Sequence, residues 1–385
     1  MALRAALALS SAALLLAGAA ASPALAERRD DPLVQYQWHL AAIGAPDAWT
    51  VSRGAGVTVA VLDTGVAYEN RGPYRRAPEL EASRLVAGYD FVDDDPNPDD
   101  VPPPGGRRSH GTQIATIIAA TAGNGIGGAG VAPEASIMPI RVLDPEINGS
   151  ARSIARGLRF AADHGADVAN LSIAGAQPSR VLRSAVRYAA GKGVTLVAAS
   201  GNGGRSSVSW PAAYPEVIAV GGVGRDRRLT YYSNYGRALD LVAPAGAGAD
   251  VATGRGPSDG IFAQTLLGEQ GRFCFCRMAS TSAASAEVAG VAALVIGARR
   301  AKTPSEVRAV LRATARDLGA AGPDREYGAG LVQAGAAVTG EDGAASAAPP
   351  ASPDDGSSWA PWTALGAVLA AALAAAGLLL RRRGR

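Results

Sequence analysis

The chain has 385 residues, 48% of them hydrophobic and 18% charged, and a formal net charge of +3. Five basic residues lie in 1–26 and 381–385, so residues 27–360 carry 32 basic and 34 acidic side chains. This nearly neutral central part excludes an electrostatic basis for nucleic-acid binding, and the length allows one large α/β domain or two to three smaller domains.

The first 26 residues have the pattern of a secretory signal peptide. Arg4 precedes an apolar run from about Ala5 to Ala19, and the segment ends on small residues at Ala24-Leu25-Ala26. An uncleaved N-terminal anchor has a similar pattern and is the alternative. Cleavage after Ala26 predicts that the domain that follows functions outside the cytoplasm.

Residues 27–339 alternate between short apolar runs and helical segments, without an apparent repeat. Strands are predicted at residues 57–62, 136–142, 167–173, 194–200 and 217–223, and helices at 113–122, 150–164, 180–190, 282–296 and 303–315. Continuous apolar strands separated by helices predict an α/β domain with a mainly parallel sheet and helices on both faces. Active sites in such folds lie beyond the carboxyl ends of the strands.

The two cysteines of the chain, Cys274 and Cys276, are separated by one residue. They are too few for a disulfide framework or, with no further cysteine, for a typical zinc site. A local disulfide and two free thiols are both compatible with the sequence.

The C-terminal part predicts a membrane anchor. Residues 340–360 are rich in Gly, Ala, Ser and Pro and predict a flexible linker. Trp362 to Leu380 is an uncharged run of 19 residues before an arginine cluster, and as a helix it would span roughly 28 Å. We therefore expect a single transmembrane helix with a basic tail at 361–385. The alternatives are a buried core helix and a sorting tail that a membrane protease removes.

His110 is the histidine best placed to act as a base. His39 lies in an N-terminal segment, and His164 closes a helix next to Gly165, where a cation is favoured by the helix dipole. His110 instead follows a Pro/Gly-rich loop and opens a predicted helix, so it would be held rigidly beside a cleft.

Three further residues complete a candidate site for nucleophilic catalysis. Asp63 ends the first predicted strand, where it could orient an imidazole or merely form a turn. Ser282 opens an apolar helix, where it could be a nucleophile beside backbone N–H groups or could merely cap the helix. Asn202 follows another strand and could donate to an oxyanion or form an Asn-Gly turn. The order Asp, His, Ser in fitting contexts is more specific than each residue alone.

With these residues the chain resembles the subtilisin-like serine proteases over about residues 35–337. The matching stretches are 59–65 (VAVLDTG), 109–112 (SHGT), 130–133 (GVAP), 170–172 (NLS), 200–202 (SGN), 240–244 (DLVAP) and 281–284 (TSAA). The resemblance implies a three-layer subtilisin-like fold and a serine endopeptidase that needs no cofactor for catalysis. It implies Ser282 as nucleophile, His110 as base and acid, Asp63 as orienting residue, and Asn202 with the Ser282 amide as oxyanion hole. It also implies that the protein or peptide substrate pairs as an added strand with the segments Ser172, Ile173, Ala174, Gly175 and Ala199, Ser200, Gly201.

The segment around Ser282 departs from the family pattern Gly-Thr-Ser-Met-Ala-x-Pro. Ser280, Ala283 and Ala286 replace the Gly, the Met and the Pro, and Glu287 stands where a His is frequent. The alternative function is therefore a weak or inactive subtilase-fold protein that binds partners at the cell envelope. The layout of signal, domain, linker, anchor and basic tail also resembles the mycosins, which are membrane-anchored subtilases.

A structural calcium ion is the remaining expectation. Many subtilases bind calcium ahead of the catalytic His, and here that loop offers the oxygen ligands Asp93, Asp95, Asn97 and Asp99. A solvated acidic loop is the alternative. Asn124, in the segment 123–126, resembles a second calcium loop of the family.

Overall fold

The structure is a computed structural model that describes residues 30–81, 84–103, 105, 108–175, 177–247, 259–268 and 272–340. All of these belong to the first of the two units into which the contacts divide the chain, Met1–Ser346. The predicted signal peptide, the predicted transmembrane helix and all of the predicted linker after Gly340 lie outside the described residues. Within the described ranges, no helix is both long and apolar enough to cross a membrane.

The core of the fold is a seven-stranded sheet in which every neighbouring pair of strands is parallel. The strands are β1 Thr58–Asp63, β2 Tyr89–Asp90, β3 Ser136–Arg141, β4 Val168–Leu171, β5 Thr195–Ala199, β6 Val217–Val223 and β7 Leu241–Pro244. Their order across the sheet is β2-β3-β1-β4-β5-β6-β7. The prediction of a mainly parallel sheet is confirmed.

Helices cover both faces of this sheet. They are α1 Trp38–Ala42, α2 Ala45–Ala48, α3 Gly111–Ala119, α4 Ala151–Asp163, α5 Arg180–Gly191, α6 Thr281–Gly297, α7 Pro304–Ala313 and α8 Ala334–Thr339. On one face α3 and α6 contribute Ile114, Ile117 and Leu294 to a large apolar cluster. On the other face α4 and α5 contribute Leu158 and Val186 to a second cluster. The expected three-layer α/β architecture is therefore confirmed.

A two-stranded antiparallel hairpin, which we did not predict, lies directly before α6. It consists of β8 Ile261–Leu267 and β9 Arg272–Met278. Cys274 and Cys276 lie in β9 and form a disulfide, with their Cα atoms 5.7 Å apart. The structure thus selects the local disulfide from the two states compatible with the sequence.

The hairpin is joined to the helix that follows His110. The Gln113 side-chain amide donates to the carbonyl of Cys276 at 2.8 Å, and the Thr116 hydroxyl donates to the carbonyl of Gln264 at 2.7 Å. The chain therefore enters α6 from a segment that is already fixed against α3.

Candidate active site

Asp63, His110 and Ser282 all lie at the carboxyl edge of the sheet. Asp63 is the last residue of β1, His110 immediately precedes α3, and Ser282 lies in the first turn of α6. Both helices pack on the same face of the sheet, so their N-terminal ends reach the point where β1 ends. This is the edge at which α/β folds place their active sites.

The carboxylate of Asp63 holds the imidazole of His110. Nδ1 of His110 lies 2.7 Å from Oδ1 of Asp63, which also accepts the backbone N–H of Thr64 at 2.8 Å. Asp63 is fully buried, and the His110 side chain is 11% exposed. Because an ionised carboxylate only accepts, Nδ1 carries the proton and Nε2 is left as the proton acceptor.

The environment of His110 raises its pKa above the usual value. Burial opposes the charged imidazolium, but the attraction and hydrogen bond of Asp63, with a further contribution from Asp100, outweigh it. The imidazole therefore binds a proton more readily than an exposed histidine does.

The start of α3 lies so close to the segment around Asp63 and Gly65 that residue 111 must be a glycine. A Cβ atom added there would lie 2.0 Å from the carbonyl oxygen of Gly65 and 3.1 Å from Cβ of Asp63. Since real Cβ atoms do not approach backbone so closely, a side chain at residue 111 would push His110 away from Asp63.

Asp100 is a second buried carboxylate of the site, and it was not predicted from the sequence. Its Oδ2 accepts the backbone N–H and the hydroxyl of Thr112, at 2.8 and 2.6 Å, and its Oδ1 accepts the Thr64 hydroxyl at 2.8 Å. Thr64 in turn accepts the N–H of Gly111 at 2.9 Å. Asp100 thus fixes the first turn of α3 to the segment that follows Asp63. The Ser-His-Gly-Thr stretch pointed to this turn, but its partner in the acidic run did not stand out.

Ser282 and Asn202 lie on either side of the start of α6. Ser282 is 5% exposed, and Ser280 caps the helix by accepting the Ser282 N–H at 3.1 Å. Oδ1 of Asn202 accepts the N–H and the hydroxyl of Thr281 at 2.9 and 2.8 Å, and Nδ2 donates to the Ser280 hydroxyl at 3.0 Å. The cap of the apolar helix is therefore Ser280, which leaves the Ser282 side chain without a capping role.

His110, Ser282 and Asn202 line one cavity of about 660 Å³. The cavity is also lined by Ser172, Ile173, Ala174, Gly175 and Ala199, whereas Ser200 and Gly201 are buried and are not among its lining residues. The Ser200 hydroxyl donates to the carbonyl of Asn234 at 2.8 Å. A second groove, of about 720 Å³ and partly lined by Thr303 and Arg308, shares no residue with this cavity.

The acidic run ahead of His110 is held largely by arginine side chains. Asp93 pairs with Arg141, and Asp99 pairs with Arg71. Asp95 accepts the backbone N–H of Asn97 at 2.7 Å. Among the described residues, no group of three or more His, Cys, Asp or Glu side chains is arranged to hold a metal ion. The calcium ligands expected in this run stay a prediction.

A different oxygen-rich cluster surrounds Asn124. The Asp31 carboxylate accepts the N–H groups of Gly123, Asn124 and Gly125 at 2.6 to 3.0 Å. The nearby Glu79 is 1% exposed, and within the described ranges the Asn124 side chain and the Gly128 backbone approach its carboxylate without well-formed hydrogen bonds. Burial, together with the charge of Asp31, raises the pKa of Glu79 to about 8. Asp31 and Glu79 offer carboxylate oxygens, and the Asn124 amide oxygen accepts the Ile126 N–H at 2.8 Å but keeps a second lone pair. Such oxygen ligands are the kind that calcium prefers.

Comparison with known proteins places the chain among proteases. A model of the subtilase family matches residues 54–330. The chain is 38% identical over 282 residues to a thermophilic serine proteinase of Bacillus sp. (strain AK1). The matched region covers 73% of this chain and 62% of that relative. It is 34% identical to thermitase of Thermoactinomyces vulgaris, covering 73% of this chain and 88% of thermitase. Subtilisin BL of Lederbergia lenta is 37% identical, with coverage of 78% and 98%.

A solved structure agrees with these relatives. A protease from Pseudoalteromonas arctica PAMC 21717 superposes with a TM-score of 0.69 at 30% sequence identity, covering 81% of this chain and 99% of that chain. The fold and the relatives together define a subtilisin-like serine protease. The chain belongs to the subtilase family.

Proposed function

We propose that the chain is a serine endopeptidase that hydrolyses peptide bonds of proteins outside the cytoplasm through Asp63, His110 and Ser282. The observation that carries the proposal is the 2.7 Å contact between Oδ1 of Asp63 and Nδ1 of His110. His110 and Ser282 line the same cavity. The proposed reaction needs no cofactor, since all proton transfers are made by side chains.

In the proposed mechanism the Ser282 hydroxyl attacks the scissile carbonyl while Nε2 of His110 accepts its proton. The imidazolium that forms is stabilised by Asp63 and then donates the proton to the leaving amine. Water, deprotonated by His110, releases the acyl group from Ser282. The raised pKa of His110 favours the charged imidazolium that both tetrahedral intermediates require.

The proposed oxyanion hole consists of Nδ2 of Asn202 and the backbone N–H of Ser282. Both groups lie at the start of α6, where the helix dipole also favours negative charge. The segments 172–175 and 199–201 are the proposed borders of the substrate, which would pair with them as an added strand. One such donor is worth about 3 kcal/mol, so Asn202→Ala is expected to lower turnover by about two to three orders of magnitude.

We also propose a structural calcium site formed by Asp31, Glu79 and Asn124. The buried unsatisfied Glu79 carboxylate beside Asp31 is the observation that supports it. The ion would attach the N-terminal segment to the body of the domain and would take no part in catalysis.

The proposed location is the outer face of the cell membrane, with residues 361–385 as the anchor. The signal-peptide pattern of 1–26 and the apolar run of 362–380 support it. Fractionation of cells that express the full chain, with a truncation after residue 340 as control, tests this location. Release of the truncated form and retention of the full chain in the membrane fraction are expected.

Labelling with a fluorophosphonate tests the endopeptidase proposal. The wild-type chain should be modified at Ser282 and should cleave a library of peptides, and Ser282→Ala should do neither. Absence of both labelling and cleavage in the folded wild-type chain would instead support the binding or scaffold function that the altered residues around Ser282 suggest.

A further inference from the structure

The hydroxyl of Ser280 occupies an unusual position beside the nucleophile. Its oxygen accepts the Ser282 N–H at 3.1 Å and Nδ2 of Asn202 at 3.0 Å. A hydroxyl oxygen has two acceptor lone pairs, and both are used by these two donors. The geometry is therefore that of one oxygen atom bound between two N–H groups.

The orientation of the Asn202 amide is fixed by Thr281. The backbone N–H of Thr281 can only donate, and it lies 2.9 Å from the Asn202 side chain, so the atom that faces it must be the carbonyl oxygen. The NH₂ group of Asn202 consequently faces Ser280. The contact with Ser280 is thus a true N–H to oxygen hydrogen bond.

These two donors are the same two groups that we assign to the oxyanion hole. A substrate carbonyl that becomes an oxyanion needs both of them, and in the resting chain both are already engaged by Ser280. Resting on the proposed function, we propose that the Ser280 hydroxyl fills the oxyanion hole in the absence of substrate and must be displaced before each acylation. Ser280 thereby restrains the protease through its own catalytic machinery.

The displacement needs only a rotation of one side chain. Ser280 has φ −172° and ψ 149°, extended backbone that any residue adopts, and it is half-buried on the wall of the cavity. Rotation about χ1 carries the oxygen away from both donors without moving the start of α6. Water would replace the hydroxyl in a variant that lacks it, but a water molecule leaves freely when substrate enters, whereas a tethered hydroxyl stays at high effective concentration.

Removal of the hydroxyl should therefore accelerate the enzyme. We expect Ser280→Ala and Ser280→Gly to raise kcat/KM for a chromogenic tetrapeptide by about tenfold. This factor corresponds to about one net hydrogen bond that the substrate no longer has to break. A peptide aldehyde, whose adduct with Ser282 places an oxyanion in the same hole, should bind both variants more tightly by a similar factor. Because Gly retains most of the capping preference, Ser280→Gly remains usable if the alanine variant folds poorly.

Two controls separate this effect from a general change in the helix. Thr303→Ala removes a cap from the distant helix α7 and should leave kcat/KM unchanged. The gain from Ser280→Gly should be clearly smaller in the Asn202→Ala background, since one of the two donors that the Ser280 hydroxyl engages is then missing.

The inference is overturned if both Ser280 variants, folded and reactive with fluorophosphonate, have kcat/KM at or below the wild-type value. It is also overturned if the gain persists undiminished with Asn202→Ala. Failure of the proposed function is a different result, in which neither wild type nor variants react with the probe or cleave peptide.

Discussion

His110 lies in the field of two buried carboxylates that do different things. Asp63 contacts the imidazole directly at 2.7 Å. Asp100 contacts Thr64 and Thr112 instead and holds the first turn of α3, but its charge still contributes to the raised pKa of His110. The pKa of Asp100 itself is raised to about 6, mainly by burial, so it is ionised where the enzyme would be active.

The pH dependence of the reaction should show the effect of both Asp63 and Asp100 on the pKa of His110. His110 must be neutral to accept the Ser282 proton, so kcat/KM should rise with pH through a pKa above the usual histidine value of about 6.5. Asp100→Asn removes one negative charge and should move this acid limb to lower pH. The measurement is the pH profile of kcat/KM between pH 5 and 9. An acid limb that stays in place or moves upward would contradict the assignment of Asp100.

At the scale of elements, the loop after β5 is shaped by one buried side chain, Asn234. Its Oδ1 accepts the N–H groups of Gly203 and Arg205, both at 3.0 Å, and its Nδ2 donates to the carbonyl of Ser200 at 3.1 Å. Asn202 lies in the middle of the turn that these bonds close. Asn234 is therefore a positioning residue for the proposed oxyanion hole.

Loss of this side chain should affect turnover more than binding. Asn234→Ala is expected to lower kcat by about tenfold with little change in KM, because a misplaced oxyanion donor matters mainly in the transition state. Thr230→Ala is the control, since its buried hydroxyl donates to the carbonyl of Gly222 in β6 at 3.2 Å rather than to the loop. A similar fall in kcat for both variants, or a change confined to KM, would show that Asn234 acts on stability or substrate binding instead.

Helices α1 and α6 are connected by a fully buried polar pair. Oε1 of Glu287 lies 3.1 Å from Nδ1 of His39, and both side chains are completely inaccessible. Burial raises the pKa of Glu287, although His39 partly opposes this. A polar side chain left alone at this position is costly.

Breaking the pair should destabilise the domain. His39→Ala and Glu287→Ala should each lower the free energy of unfolding by about 3 kcal/mol, and the double variant should lose less than their sum. Urea denaturation of chains that also carry Ser282→Ala, which prevents self-digestion, gives these values. Leu158→Ala on the opposite face of the sheet should add to His39→Ala without coupling. Additivity of the His39 and Glu287 effects would show that the two side chains do not support each other.

Most of the sheet and the contact of Asp63 with His110 could be predicted from the sequence. Strand β6, Val217–Val223, was predicted at its observed bounds, since an apolar β-branched run buried on both faces has a strong local signal. Asp63 and His110 could be brought together because parallel strands end at one edge. The hairpin β8–β9 was missed because its position depends on contacts with α3, such as Thr116 to Gln264.

The residues that were missed at the site share a physical reason. Asp100 and Asn234 act through hydrogen bonds to groups elsewhere along the chain, and such partners follow from side-chain geometry rather than from residue type or spacing. The acidic run ahead of His110, in contrast, was noticed for its composition alone. The calcium site that its composition predicts stays a prediction, and the pairing of Asp93 with Arg141 and of Asp99 with Arg71 could not be predicted from composition.

At the scale of the whole molecule, the N-terminal segment is attached to the domain at several separate points. The Gln37 side chain donates to the carbonyl of Ala129 at 2.9 Å, and the indole N–H of Trp49 donates to the carbonyl of Val131 at 2.8 Å. Asp31 accepts three N–H groups from the turn 123–125. A cation at the proposed site would strengthen this attachment, because it would bind both Asp31 and the buried Glu79 carboxylate, which has no well-formed hydrogen bond among the described residues.

Removal of calcium should therefore lower the thermal stability of the domain. In the Ser282→Ala chain, 1 mM calcium at about a hundred times its Kd would contribute about 2.7 kcal/mol, which corresponds to roughly 5 °C in Tm for a domain of this size. Chelation with EDTA should reverse this gain, and Glu79→Gln should abolish the response to calcium. Asp95→Asn serves as the matched control, because it removes a carboxylate from the acidic run and leaves the cluster around Asn124 intact. Loss of the calcium response in Asp95→Asn but not in Glu79→Gln would place the ion in the loop ahead of His110 instead.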